Sequence, residues 1–285
     1  MEKQIKCWTA RSDLIGDQIM SLPILTFLER KFPNSYKYFS VLRKCSQAAP
    51  LYFNHTLIDK IVISDFNEGF GQTDKFYIDQ CDIVLNTRPQ HPFEQDWSNY
   101  RNIYEETWVM AGLPLLEFNN LSIEEKRPKL FRWFDIDKRD KSIMLHCFAG
   151  YGLDNHRSPS KTWWENFIKE SFKLGYNIAR LGHPREPVFD ISSDKYYDLR
   201  NLSFIEQVQI SISGSFYIGT DSGMSLAVAA YNEIPQITLL TNWSQNHFQN
   251  FFSLAPNNDK NINLFSKNGC DNINIDDVIE EIKHL

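Results

Sequence analysis

Short apolar runs alternate along this chain with longer segments whose apolar residues recur at helical spacing. In the first half, residues 4–10, 36–42, 60–64 and 82–86 are strand-like runs rich in β-branched and aromatic side chains. Between them, residues 17–31 carry Ile19, Met20, Leu22, Leu25 and Leu28 as the apolar body of a helix, and Pro23 in its second turn moves the expected start later than Asp17. Residues 97–111 form a second helical stretch, ended by Gly112 and Pro114. The second half repeats this grammar. Strands are expected at 142–148, 177–181, 196–199, 216–218 and 236–241. Helices are expected at 161–174, 203–213, after Asp221, and at 276–285. Ser203 and Glu206 have capping-box spacing at the start of one of these helices.

Strands that alternate with helices must pair in parallel, because each crossover returns the chain to the same edge of the sheet. The charged, proline-punctuated stretch 115–140 reads as an interdomain linker with an edge strand near 129–133. The expected fold class is α/β: two doubly wound, Rossmann-like domains, 1–130 and 131–285, facing across a cleft. The last helix is able to pack back on the first domain.

Composition narrows the partners. The net charge of -6 argues against a nucleic-acid binder, which needs a basic footprint. Five cysteines with no Cys-x-x-Cys pair signal neither a disulfide framework nor a zinc cluster, and the seven histidines lack ligand spacing, so no metal site is expected. Reduced thiols, no apolar leader and no apolar run of membrane-spanning length point to the cytoplasm. Phe27, Arg30, Lys31 and Phe32 read as a packed helix with a solvated edge, and at most as a peripheral contact at the inner face of a membrane.

The candidate chemistry lies just after expected strands, where open α/β sheets bind ligands. Gly219-Thr220-Asp221-Ser222-Gly223 turns from a strand into a helix rich in small residues. Asp221 or Ser222 can cap that helix, and its N–H groups and dipole favour a phosphate. After the first strand, Arg11, Asp13, Gly16 and Asp17 form a second candidate. Asp17 can serve as a general base toward a hydroxyl or merely cap the next helix, and Asp13 competes for either role. Arg157, Ser160 and Lys161 precede a helix. They suit a diphosphate, or equally a capped and solvated helix start backed by Trp163 and Trp164. Gly182 and His183 end another strand and can contact a base or ribose, or belong to a solvated loop. Asp135-Ile136-Asp137 reads as a solvated turn, and Gly69-Phe70-Gly71 lacks the third glycine of a dinucleotide fingerprint.

Four segments in this order resemble the ADP-heptose:lipopolysaccharide heptosyltransferases, inverting glycosyltransferases of GT-B fold. They are Gly16-Asp17-Gln18-Ile19-Met20-Ser21-Leu22-Pro23, Ser158-Pro159-Ser160-Lys161-Thr162-Trp163, Asp198-Leu199, and Gly219 to Gly223 with Ala229-Ala230. The helix ending Ala111-Gly112-Leu113-Pro114 is also similar. The resemblance implies a nucleotide-diphosphate sugar as donor substrate in the second domain, and a glycan, lipid-linked glycan or protein acceptor in the first. It implies no cofactor and no metal. Asp17 matches the proposed catalytic carboxylate, Lys161 the lysine near the donor phosphates, and Asp221, Ser222 and Gly223 the turn that holds sugar and diphosphate. Two positions depart from the pattern: Leu226 stands where a histidine is frequent, and Thr241-Asn242-Trp243 stands where Gly-Pro-Thr is common. The competing readings are a nucleotide-sugar epimerase or hydrolase of the same fold and a non-catalytic nucleotide-sugar-binding protein.

Overall fold

The computed structural model describes residues 4–10, 14–65, 72–86, 102–149, 157–241 and 260–285. Arg11, Asp13, Gly69 to Gly71, Gly150 to Gly152, residues 97–101 and Asn242-Trp243 lie outside the described residues. The chain divides into two compact units, Met1–Arg132 and Trp133–Leu285.

Unit 1 is built on four parallel strands, β1 (Lys6–Ala10), β2 (Tyr36–Leu42), β3 (Lys60–Ser64) and β4 (Ile83–Asn86), in the order β3-β2-β1-β4. Trp8 of β1 pairs with Tyr38 of β2 on one side and Val84 of β4 on the other. The expected single helix over 17–31 is two, α1 (Ile15–Ser21) and α2 (Pro23–Lys31). The chain becomes helical earlier than expected, and the break falls at Leu22, the cap shared by both. Pro23 has no N–H to donate back into α1 but is well suited to the first position of α2. Phe27 lies edge-on to Trp108, while Arg30 and Lys31 pair with Glu125 and Glu117 at the surface. α3 (Gln72–Ile78) follows β3, and its Asp74 is buried beneath the hydroxyls of Ser40 and Ser64.

α4 (Ile103–Met110) starts later than its pattern suggests. Asn102 is extended and its side chain caps the N–H groups of Tyr104 and Glu105, each at 3.0 Å. Gly112, at φ +77°, ends the helical path just beyond Ala111. The expected linker is largely structured. It holds α5 (Leu115–Asn119) and α6 (Ile123–Lys126), the latter opened by a Ser122–Glu125 capping box. The edge strand expected near 129–133 is absent. Phe131 N–H reaches Leu51 C=O at 2.7 Å, where a ten-residue 3₁₀ helix (Arg43–Tyr52) stands in place of a partner strand.

Unit 2 carries six parallel strands, β5 (Ser142–His146), β6 (Asn177–Leu181), β7 (Tyr196–Asp198), β8 (Phe216–Thr220), β9 (Gln236–Thr241) and β10 (Asn261–Ser266), in the order β10-β9-β8-β5-β6-β7. β8 and β9 are buried at every residue and β5 at all but His146, as parallel strands covered on both faces must be. Edge strand β10 reads Asn-Ile-Asn-Leu-Phe-Ser, too polar to be legible as a strand, and is held by its ladder to β9. The chain runs outward from β5 through β6 and β7, then returns to lay β8 on the other side of β5. The strand order therefore reverses between β5 and β8. α7 (Lys161–Lys173), α8 (Phe204–Ser211), α9 (Gly223–Tyr231) and α10 (Ile275–His284) complete the unit.

One core layer packs Trp163, Trp164, Phe167 and Ile168 of α7 with Val278, Ile279 and Ile282 of α10 over the inner strands. The last helix thus packs within its own unit. Both indole N–H groups are satisfied, Trp164 by Cys147 C=O at 3.0 Å and Trp163 by Ile273 C=O at 2.8 Å. The five cysteines are free thiols, and no helix among the described residues is long and apolar enough to cross a membrane.

Two substitutions test this layering. Trp164→Ala deletes a fully buried ring and one hydrogen bond and is expected to cost about 3–5 kcal/mol. Ser203→Ala removes only the α8 cap and is expected to cost about 1 kcal/mol. Urea unfolding followed by tryptophan fluorescence should rank them in that order; the reverse order would contradict the core described here.

Candidate functional site

In an open parallel sheet the carboxyl ends of the two strands flanking a reversal splay apart, and helices start on opposite faces there. In unit 2 that place is the junction of β5 and β8. His146, the last residue of β5, lies in register with Gly219 of β8 on one side and Leu181 of β6 on the other.

β8 arrives at this junction through a strand in which Tyr217 and Gly219 face the same side. A Cβ on Gly219 would stand 2.7 Å from Tyr217 Oη. Glycine is required so that the buried tyrosine can fold back along its own strand. Its hydroxyl pairs with Ser225 Oγ at 3.1 Å, and Ser225 Oγ–H donates to Thr220 C=O at 2.5 Å. Because the single Ser225 proton goes to that carbonyl, Tyr217 is the donor in the first bond. The turn between β8 and α9 is therefore tied down from beneath.

Ser222, not Asp221, caps α9. It is extended, at φ -158° and ψ 165°, and its Oγ accepts the Ser225 N–H at 3.2 Å. The first N–H groups of α9, at Gly223 and Met224, have no acceptor within the helix. The same Oγ meets Nδ1 of His146 at 3.2 Å. Burial, and then the Arg180 charge, lower the His146 imidazole to about 4, so at neutral pH it is uncharged. Thr220 is fully buried, and its Oγ1 has no hydrogen-bond partner among the described residues.

Asp221 is left to meet a cation. Arg157 Nη2 donates to its Oδ2 at 2.9 Å and to its backbone C=O at 3.1 Å. Both side chains are largely buried. The Arg157 segment is tethered on both sides: Ala149 N–H donates to Ser158 Oγ at 2.8 Å, and Cys270 Sγ–H reaches Arg157 C=O at 3.5 Å.

Lys161 goes elsewhere. Ser160 caps α7 through Trp163 N–H, and Lys161, in the first helical turn, pairs with Asp190 at 2.6 Å and Glu165 at 3.4 Å. A cation at the positive end of a helix is unfavourable, and these two carboxylates offset it and raise the Lys161 ammonium above its usual range. The structure thus pairs Arg157 with Asp221 beside the Ser222 cap, and gives Lys161 acidic partners of its own.

Gly182 and His183 end β6. Gly182 sits at φ +130°, and a Cβ there would collide with the Glu186 carboxylate. Gln207 of α8 clamps its backbone, accepting its N–H at 2.7 Å and donating to its C=O at 3.0 Å. Glu186 Oε1 accepts His183 N–H at 2.8 Å and is backed by the fully buried Arg180. Burial raises the Glu186 carboxyl, while that N–H and the Arg180 and Arg200 charges oppose the rise.

In unit 1, Gly16 and Asp17 lie in the first turn of α1, directly after β1. Asp17 Oδ2 accepts Leu14 N–H at 3.0 Å, so the carboxylate closes the helix start. β1 is also the strand where the unit 1 order reverses, with β2 and β3 to one side and β4 to the other. Arg11 and Asp13 lie outside the described residues. Among the described residues, no group of three or more His, Cys, Asp or Glu could hold a metal ion.

His146 and Gln207 were not singled out from the sequence as site residues, whereas Glu186 lies at the end of the candidate segment Leu181 to Glu186. His146 had a signal, as the terminal residue of a central strand. Gln207 had none, because its role depends on where α8 docks.

No family model and no curated protein matches this sequence. Solved structures do match. The ADP-heptose LPS heptosyltransferase II of E. coli superposes with a TM-score of 0.65 at 13% identity, over 98% of this chain and 98% of that one. A glycosyl transferase family 9 protein from Veillonella parvula gives 0.64 at 13% identity, over 100% and 98%. E. coli heptosyltransferase WaaC, solved with ADP-2-deoxy-2-fluoro heptose, gives 0.63 at 13% identity, over 98% and 99%. The chain has the fold of these proteins, the GT-B fold.

Two outcomes check the geometry of the turn. Gly219→Ala must displace the Tyr217 hydroxyl and is expected to cost about 1–3 kcal/mol, read as a lower urea midpoint at unchanged slope. For His146, a folded-state value near 4 against an unfolded 6.5 means that the unfolded chain binds the proton more tightly. Its contribution to stability is complete above pH 6.5 and is lost as pH falls toward 4. Urea midpoints of wild type and His146→Asn should diverge at pH 7 and converge on acidification through that window.

Proposed function

We propose that this protein is a glycosyltransferase that takes a sugar from a nucleotide-diphosphate donor bound in unit 2 and passes it, with inversion, to the hydroxyl of a glycan acceptor. The observation that carries this reading is the convergence at the β5–β8 reversal. A cation (Arg157), a carboxylate (Asp221) and an open helix start capped by Ser222 meet there, at the place where a parallel sheet accepts ligands. The heptosyltransferase fold supports the donor class, since WaaC was crystallised with an ADP-sugar analogue.

Each residue then has a task. The N–H groups of Gly223 and Met224 bind the diphosphate, with Thr220 and Ser160 alongside. Arg157 neutralises the diphosphate as it departs, and Lys161 supplies a second positive charge when phosphate replaces Asp190 as its partner. With two cations and a helix start available, the leaving group needs no divalent metal. Asp221 accepts from sugar hydroxyls, and the clamped Gly182–His183 loop abuts the nucleoside. Asp17 takes the proton from the acceptor hydroxyl, which attacks the anomeric carbon opposite the nucleotide.

A second reading has its own observation. The Asp17 carboxylate already serves α1 through Leu14 N–H, so a purely structural role accounts for its presence in a nucleotide-sugar-binding protein without catalysis.

Calorimetric titration with ADP-, UDP-, GDP- and CDP-linked sugars, with and without EDTA, tests the donor site. One nucleotide class is expected to bind regardless of EDTA, and Arg157→Ala to weaken it about 10- to 100-fold, as for loss of a charge-assisted hydrogen bond. Absence of binding by every donor would end the reading. Asp17→Asn keeps the oxygen that accepts Leu14 N–H but removes the base. It should leave donor affinity intact and lower transfer at least about 100-fold. Unchanged function in that variant would favour the binding protein.

A further inference from the structure

His146 reaches the α9 cap from the far side of the strand reversal. It is the terminal residue of the central strand β5, and β6 and β8 hold its backbone on either side. Its Nδ1 lies 3.2 Å from Ser222 Oγ. Ser222 turns that oxygen inward to receive Ser225 N–H, and in this rotamer it leaves the N–H groups of Gly223 and Met224 open at the helix start. A serine has three staggered rotamers, and an exposed cap exchanges among them. The cap alone is thus a weak restraint on a site that must be pre-formed. The surrounding hydrogen bonds have a fixed polarity. Tyr217 donates to Ser225 Oγ, and Ser225 donates to Thr220 C=O. Ser222 Oγ accepts from Ser225 N–H, and its own proton has two acceptors at 3.2 Å, Ser225 Oγ and His146 Nδ1, of which the neutral imidazole is held on a rigid strand. Thr220 Oγ1, at the end of β8, is fully buried and has no hydrogen-bond partner among the described residues.

We propose that His146 is a positioning residue for ligand binding at this turn: its Nδ1 accepts the Ser222 hydroxyl proton and so holds Ser222 in the rotamer that keeps the first N–H groups of α9 open to a diphosphate. The inference rests on the donor-site reading above and deepens it, because it makes diphosphate affinity depend on a residue that does not itself touch the ligand. It requires the Nε2–H tautomer of His146. It also requires His146 and Ser222 to act as one unit.

The test has three arms, using the nucleoside diphosphate that wild type binds most tightly among ADP, UDP, GDP and CDP. Calorimetry on His146→Leu, Ser222→Ala and the double variant should show about tenfold weaker binding in each single variant and no further loss in the double. His146→Asn, whose Oδ1 stands near the place of Nδ1, should recover most of the wild-type affinity, a rescue that loss of packing would not produce. Long-range proton–nitrogen correlation spectra of the wild type should find the proton on Nε2. The inference is overturned by additive losses, by wild-type affinity in His146→Leu, by no rescue in a folded His146→Asn, or by a proton on Nδ1. A wild type that binds none of the four nucleotides overturns the donor-site reading, and this inference with it. A wild type that binds while the variants are indistinguishable from it overturns this inference alone.

Discussion

The structure depends on one constraint: a fully parallel sheet cannot be closed by hairpins. Every strand must be followed by a crossover, and each crossover helix must be apolar toward the sheet. In unit 2 that demand explains why β8 and β9 are buried throughout and why α7 spends Trp163, Trp164 and Phe167 on one face. It also produces the reversal between β5 and β8. Two strands leave β5 on one side, three lie on the other, and the carboxyl ends where the directions part are bare of crossover. The site residues stand at that parting.

Polar groups at such a place need support that does not itself fill the gap. Unit 2 supplies it from beneath and behind. Tyr217 and Ser225 tie the turn from the strand side, Gln207 holds both the N–H and the C=O of Gly182, and buried Arg180 pairs with Glu186. Arg180 also lies 3.7 Å above the Phe189 ring, which gives its guanidinium an attractive surface where water is excluded. A buried ion pair of this kind contributes less to net stability than to a single arrangement, because breaking it strands a charge. The loops it backs are held rather than merely allowed.

The two cations illustrate how far a local reading carries. Arg157 and Lys161 stand four residues apart around a helix start, and both looked equally suited to a diphosphate. In the fold they diverge. Arg157 comes before the first turn of α7 and reaches across to Asp221, while Lys161, already inside the helix, points along it to Glu165 and out to Asp190. The start of α7 separates a group aimed at the strand reversal from one aimed along its own helix face.

The amino-acid pattern alone determined the class of fold and most inner strands. Runs at 36–42, 60–64, 177–181 and 236–241 match their strands end to end, because each is a short run dominated by β-branched, aromatic and aliphatic side chains. Capping chemistry was equally legible at Ser203 and Glu206, since a cap is satisfied within one turn. The tertiary structure alone decided what depends on distant partners. β10 is a strand only because β9 offers it a ladder, and the stretch before residue 132 is helical where a linker was expected. The meeting of His146 with Ser222, 76 residues apart in sequence, belongs to the same category. Sequence spacing encodes contacts within a turn, whereas contacts across a sheet are set by strand order, which no local pattern states.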